Sequence, residues 1–521
     1  MKNLRKFVLS ALLLCAVSFL MKTVGVSFNV YVSNRAGAEA MGLYSLLSGV
    51  YGFALTLATS GISLATMRLV AEAIGVNDPA RARKSLTYCL IYSLSFGGLA
   101  TLLLFFLADP IARYLLDDMR TLIPIRILAL SLLPISLSSV CNGYFTAVRR
   151  VHKNAAVQIA EQFIRIFSIS FFLTRLLPYG IEAACIALAV GGVIADLAAF
   201  FLAFLGFLHD KKKRILSNSV PLETKTAEIS KKLLGIALPV AFSAYARSGL
   251  ISLEHMLIPV GLRKSGSSRE TALAAYGTLN SMVIPIILFA SALISSFAGI
   301  LVPEITECCV QKNMRQIRYI SERVVQLSLL FSIGVAGVMI FFSEEIGEVI
   351  YPNKNTAGYI RLLAPLIPIM YIDSGVDAIL KGMEKQVYSM TVNIIDAALS
   401  VLLVWILVPR LSINGYIITI YATETINTIL SVHKLLSVSN MKPKLLKWVV
   451  GPLFCIVGAT CFSRLLLTLL GSFFATNALE LALHIVLVSI LYVLFLRACS
   501  VFDKDDIKWI TGMFKTKNHT S

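Results

Sequence analysis

Long apolar runs alternate with short polar breaks along the whole chain. Runs of spanning length lie near 7–32, 42–74, 86–108, 121–147, 155–176, 180–208, 233–260, 273–303, 316–342, 358–380, 388–408, 412–437, 447–470 and 473–497. A helix of about 20 apolar residues crosses a bilayer. The pattern therefore predicts an all-α polytopic membrane protein with about fourteen transmembrane helices. The longest polar break, 209–232, divides it. The expected organisation is a six-helix lobe over 1–208, a cytoplasmic linker over 209–232 and a second six-helix lobe over 233–437. Two appended helices over 447–497 and a cytoplasmic tail over 498–521 complete it. The first twenty residues have the basic start and apolar centre of a secretory signal. The apolar run continues past Lys22 to about Val32, so an uncleaved first helix is expected.

Composition agrees with the pattern. The chain is 57% hydrophobic and 15% charged, against roughly 25% charged in an ordinary soluble protein. The net charge of +18 would suggest nucleic acid in a soluble chain. Here the basic residues sit in short loops between spans, so no nucleic-acid partner is expected. With the N-terminus in the cytoplasm, inner loops hold about 29 Lys/Arg and outer loops about 9, as the positive-inside rule requires. No loop is large enough for an extramembrane catalytic domain. Nine cysteines occur without a CxxC pair, so no metal or redox centre is expected.

The segment from Gly42 to Lys84 can be laid over Ala274 to Gln316 without a gap. Tyr44 then falls on Tyr276, Glu72 on Glu304 and Arg83 on Arg315. The first helix overlays the seventh in the same way, with Lys22 at or within a residue of Arg247. Six helices per half is an even number, so the repeat is parallel and the two lobes are pseudo-symmetric. Such architecture suggests alternating access, with a substrate site near the midplane between the halves.

Ionisable residues inside spans are costly unless paired or hydrated. Lys22, Arg68 and Arg247 are the candidate substrate-binding cations, since cations in a wet cavity suit a phosphate or diphosphate. Arg68 and Glu72 are spaced i,i+4 for an ion pair, and Arg247 and Glu254 lie seven apart on one face. Glu72, Glu254, Glu304, Arg126, Glu161 and Arg165 are possible cavity or gate residues. No HExxH, GxSxG or Walker loop occurs. No enzymatic activity and no cofactor are expected. Coupling to Na⁺ or H⁺ stays open.

GISLATMRLVAE (Gly61 to Glu72) resembles the second-helix signature of the polysaccharide-exporter branch of the multidrug/oligosaccharidyl-lipid/polysaccharide (MOP) flippase superfamily. So do Leu132 to Ile166, Ala244 to Pro259, Ser295 to Glu307 and Ile379 to Asp396. The resemblance implies two six-helix lobes with a cationic cavity lined by helices one, two, seven and eight. It implies outward movement of a polyprenyl-diphosphate-linked saccharide, for cell-wall or spore-cortex peptidoglycan. Its implied partners are that anionic lipid, membrane lipids and cell-wall synthesis enzymes. A multidrug/cation antiporter of the same superfamily is the alternative, and a non-transporting scaffold of a wall-synthesis complex is the second.

Overall fold

The computed structural model describes residues 2–76, 78–214, 226–351, 354–441, 443–469 and 478–503. The centre of the expected linker, 215–225, and most of the expected tail, 504–521, lie outside them. Among the described residues there is no strand. The helices are α1 (Lys2–Thr59), α2 (Ile62–Gly75), α3 (Pro79–Phe106), α4 (Leu122–Ala147), α5 (Val151–Leu176), α6 (Ile181–Arg214) and α7 (Thr226–Lys264). Then follow α8 (Arg269–Gly277), α9 (Ile284–Phe289), α10 (Ser291–Val310), α11 (Met314–Phe341), α12 (Ser343–Ile350) and α13 (Lys354–Leu363). The chain continues through α14 (Ile367–Gly382), α15 (Gln386–Leu411), α16 (Ile413–Ser439), α17 (Gly451–Leu469) and α18 (Ala478–Ala498).

Twelve stretches among the described residues are long and apolar enough to cross a membrane. The first, Leu20–Gly75, holds two of the expected helices, joined where Gly37 leaves helical geometry at φ 85°. The 27-residue α16, rich in Thr, Asn, Tyr and Ser, is not among the twelve.

Side-chain placement identifies the solvent as lipid. On α5, Phe163, Phe167 and Phe171 are exposed, whereas Ser168, Ile169 and Leu173 are buried. The outward face is thus the more apolar one. Phe106, Phe201, Trp405 and Phe454 are exposed in the same way. Apolar exposure on this scale is not tolerated in water, and helices are one of two structures that satisfy every backbone group in hydrocarbon.

Polar breaks set the helix starts. The Asp78 carboxylate accepts from the Arg81 N–H at 2.8 Å and Pro79 occupies the first turn, so α3 begins there. Asn313 caps α11 by accepting from the Gln316 N–H.

The chain forms two compact units, whose bounds differ from the lobes drawn from the repeat. One comprises 35–277 with 401–413. Its core holds Leu43, Leu47, Leu104, Ile125 and Leu132 in one cluster, and Ile62, Leu86, Tyr144, Phe145 and Phe207 in another. Within it, the later half of α1 runs against α7 through small residues. Ser252 donates to the Gly49 carbonyl at 2.5 Å, and Thr56 donates to Ser248 at 3.0 Å. Close approach through small and hydroxylated residues is how membrane helices pack when lipid offers no hydrophobic drive.

The C-terminal half of α8 packs on α1 so closely that side chains are excluded. A Cβ on Gly42 would lie 1.9 Å from the Leu273 carbonyl oxygen, and one on Gly277 would lie 2.2 Å from that of Ala38. Gly277→Val is expected to lower the thermal midpoint of the purified protein by several degrees, since overpacking costs about 1–3 kcal/mol. An unchanged midpoint would show that this contact is not closed in the membrane.

The other unit comprises 1–34, 278–400 and 414–521. Ile305, Ile317, Val324, Ile379, Leu435 and Trp448 form its core cluster. Tyr492 reaches across from α18 to donate to the Leu330 carbonyl at 2.8 Å, which fixes the last helix to α11.

Candidate functional site

Two expected membrane helices are broken, and they break at related places. The helix expected over 42–74 ends at Thr59 and restarts at Ile62, with Gly61 at φ 78° between. The helix expected over 273–303 is interrupted by a π-helical turn, Thr278–Val283, and again at Ala290. The repeat offset is 232, from Gly42 to Ala274, so Ala290 corresponds to Ala58, next to the first break. Paired interruptions in the two halves of a transporter point to its binding site, because irregular backbone survives in a membrane only where protein or water covers it. Both breaks are covered by protein. A Cβ on Gly61 would meet the Ala237 carbonyl of α7 at 2.5 Å. In the other unit, the Asn29 amide donates to the Ser281 carbonyl inside the π-helical turn at 2.7 Å.

The three candidate cations share one property. Lys22, Arg68 and Arg247 are all exposed, and none has a hydrogen bond or ion pair among the described residues. The expected Arg68–Glu72 pair does not form. Glu72 instead accepts from Lys232 at 2.5 Å and from Arg81 at 3.4 Å. Arg81 stands in the first turn of α3, just past the short break that ends α2, and Lys232 comes from the start of α7, 160 positions away. Arg247 is likewise not paired with Glu254, which is half-buried. Glu304 is exposed near the end of α10.

Glu161 and Arg165 do come together, and they recruit a third group. Arg165 Nη2 donates to Glu161 Oε1 at 2.6 Å and to Asp196 Oδ1 of α6 at 2.7 Å. This face of α5 points away from the exposed phenylalanines. Tyr51 and Ser131 lie 2.6 Å apart beside it. Arg126 stands elsewhere. It lies over the Phe105 ring at 5.7 Å and shares an exposed face of α4 with Ile123 and Leu130, so it faces lipid rather than the other charges.

Sequence reasoning missed a further cluster between α3 and α4. Asp117 accepts from Arg263 at 2.5 Å and from Arg269 at 2.9 Å. Arg120 is held by Asp118 at 2.8 Å and Glu39 at 3.0 Å. A cavity of about 410 Å³ opens here, lined by Arg113, Asp117, Asp118, Met119, Arg120 and Arg269. The hydrogen bond from Arg263, with Arg269 adding its charge, holds the Asp117 carboxyl below the usual carboxylate range. A carboxylate with a depressed pKa keeps its pairing energy above its unfolded value of about 3.9 and loses it as pH falls through the folded value. Lowering the pH from 7 to 5 is therefore expected to leave this cluster closed. Labelling of a cysteine placed at Met119, taken as a ratio to an exposed reference cysteine at the same pH, checks it, and a rise in that ratio between pH 7 and 5 would contradict the pairing.

Known proteins share this sequence and fold. Residues 5–308 match the family model described as polysaccharide biosynthesis protein, and residues 265–406 match the MatE model. The chain belongs to the polysaccharide biosynthesis protein family of the MOP superfamily. Stage V sporulation protein B of Bacillus subtilis (strain 168) is 26% identical over 507 residues, 97% of each chain. Lipid II flippase MurJ of the same organism is 22% identical over 433 residues, 77% of each. A solved lipid II flippase MurJ in an inward closed conformation has a TM-score of 0.69 at 14% identity, covering 95% of this chain and all of that one. An inward-facing multidrug resistance MATE family transporter has 0.66 at 15% identity, over 82% of this chain and all of that one. This member of the superfamily is thus a multi-pass membrane flippase and not an enzyme.

Proposed function

We propose that this flippase carries a polyprenyl-diphosphate-linked saccharide, similar to lipid II, from the inner to the outer leaflet. The end use is cell-wall or spore-cortex peptidoglycan. One observation carries the reading: Lys22, Arg68 and Arg247 lie in spans without a protein counter-charge among the described residues. An ionised side chain in a span must reach water or a ligand. A diphosphate supplies the missing charge, and arginine binds it through a planar fork of donors. The printed names of the B. subtilis relatives, a lipid II flippase and a sporulation protein, point the same way.

In this proposal the lobes over 1–208 and 233–437 rock against each other. Asp117 with Arg263 and Arg269 forms the outer latch. Glu72 with Lys232 forms the inner one. The antiporter alternative draws on the likeness to MATE structures, but a drug cation is poorly served by three uncompensated positive charges.

Reconstitution in vesicles tests the reading. Purified flippase is incorporated with a fluorescent polyprenyl-diphosphate saccharide, and outer-leaflet label is quenched over time. Transbilayer movement well above that of empty vesicles is expected. No movement, with or without an imposed potential, would falsify it.

A further inference from the structure

A second polar pocket lies within the unit over 1–34, 278–400 and 414–521. A cavity of about 170 Å³ opens where α11 meets the segment leading into α17. It is lined by Tyr319, Arg323 and Gln326 on one side, by Lys444, Lys447 and Trp448 on the other, and by Glu322 and Asp503 at its edges. Both acids are engaged. Arg318 Nε donates to Glu322 at 2.9 Å, and Lys447 pairs with Asp503. The Arg323 guanidinium lies over the Tyr319 ring at 5.3 Å and donates to Gln326 at 3.4 Å. These contacts hold the side chain at the pocket wall. Lys444 is exposed and has no ion pair among the described residues.

The pocket's position sets what it can meet. The spans Met314–Phe341 and Leu446–Leu469 both begin beside it, so it sits at headgroup level. Trp448 is buried there, 3% exposed, while its neighbours Leu445 and Leu446 are 64% and 80% exposed. Aromatic and basic residues at a span end mark the membrane interface. The positive-inside bias puts this end at the cytoplasmic leaflet. The volume admits a phosphodiester but falls short of the roughly 300 Å³ or more of a site for a larger organic ligand.

We propose that this pocket binds the phosphate group of an acidic phospholipid of the inner leaflet. Arg323 and Lys444 meet the phosphate, and Leu445 and Leu446 continue the surface along the acyl chain. Basic pockets between transmembrane helices on the cytoplasmic side bind acidic headgroups in this way. A free phosphate has no use for the exposed leucines. Binding is read without flipping, so its failure is distinguishable from a failure of the proposed transport.

The test is competitive lipid retention by the full chain in detergent, measured by native mass spectrometry. Phosphatidylglycerol and phosphatidylcholine are supplied in equal amounts. The wild type is expected to retain the acidic lipid preferentially. Arg323→Gln with Lys444→Gln is expected to reduce that preference about thirtyfold, on the usual strength of about 1 kcal/mol for each Lys or Arg near an acidic headgroup. Arg323→Lys with Lys444→Arg should keep it. Lys381→Gln, a cation elsewhere in the same unit, should leave it unchanged. Circular dichroism melting confirms that each variant is folded. An undiminished preference in the glutamine variant, or an equal loss with Lys381→Gln, overturns the site. Displacement of the lipid by 10 mM inorganic phosphate overturns the lipid assignment in favour of a free-anion site.

Discussion

Replacing Arg247 with Glu is expected to abolish transport of a diphosphate-linked lipid while leaving the protein folded. Arg247 is exposed, lies in a span and has no partner among the described residues, so its removal breaks no internal contact. A hydrogen bond to a charged group contributes about 1.5–3 kcal/mol, which corresponds to roughly 10- to 150-fold in rate or affinity. Reversing the charge adds repulsion to that loss. Arg68→Gln and Lys22→Gln should each cost about tenfold or more in the vesicle assay on the same argument. The antiporter reading predicts the opposite, because an acid in place of Arg247 would favour a cationic drug. Retained lipid movement in the Arg247→Glu variant would remove the cationic site from the mechanism. Wild-type activity in a triple Gln variant would instead favour a scaffold.

Asp210→Ala should be the most destabilising single substitution of an acid in the unit over 35–277. Asp210 is fully buried. Its carboxylate accepts from Tyr144 Oη at 3.2 Å and pairs with Arg150 and Lys153. It therefore fastens the end of α6 to the turn between α4 and α5. Removing one partner of a buried ion pair costs about 3–5 kcal/mol. Arg150 and Lys153 are part exposed and recover some hydration, so the lower end of that range is expected. Thermal unfolding in detergent would measure it. A midpoint within about a degree of the wild type would show that the cluster is a solvated surface feature.

Asp210 also shows what a sequence hides. It stands in HDKKKR, a charge run that reads as solvated, and only the packing of Tyr144 and Phe207 around it reveals a buried acid. The spans were legible because hydropathy alone governs insertion. The candidate cations were legible because charge in a span is rare. Their pairing was not. The i,i+4 spacing of Arg68 and Glu72 is a weak local preference, worth only tenths of a kcal/mol. Lys232, 160 positions away, takes Glu72 instead. Asp117 meets Arg263 and Arg269 across 146 and 152 positions, and no local pattern announces such a contact. The break at Gly61 was missed for the same reason. Its neighbour is the backbone at Ala237, which a periodicity of apolar residues cannot anticipate.

That break turns α2 into a short lever. With its pivot at Gly61 and a rise of 1.5 Å per residue, Glu72 lies about 16 Å out along the arm and Arg68 about 10 Å. A swing of about 15° carries Glu72 about 4 Å, enough to part it from Lys232, and Arg68 about 3 Å. Such a rotation would part an ion pair and move the Arg68 guanidinium together, and it would have to shift the face that α2 buries through Ile62, Leu69 and Val70.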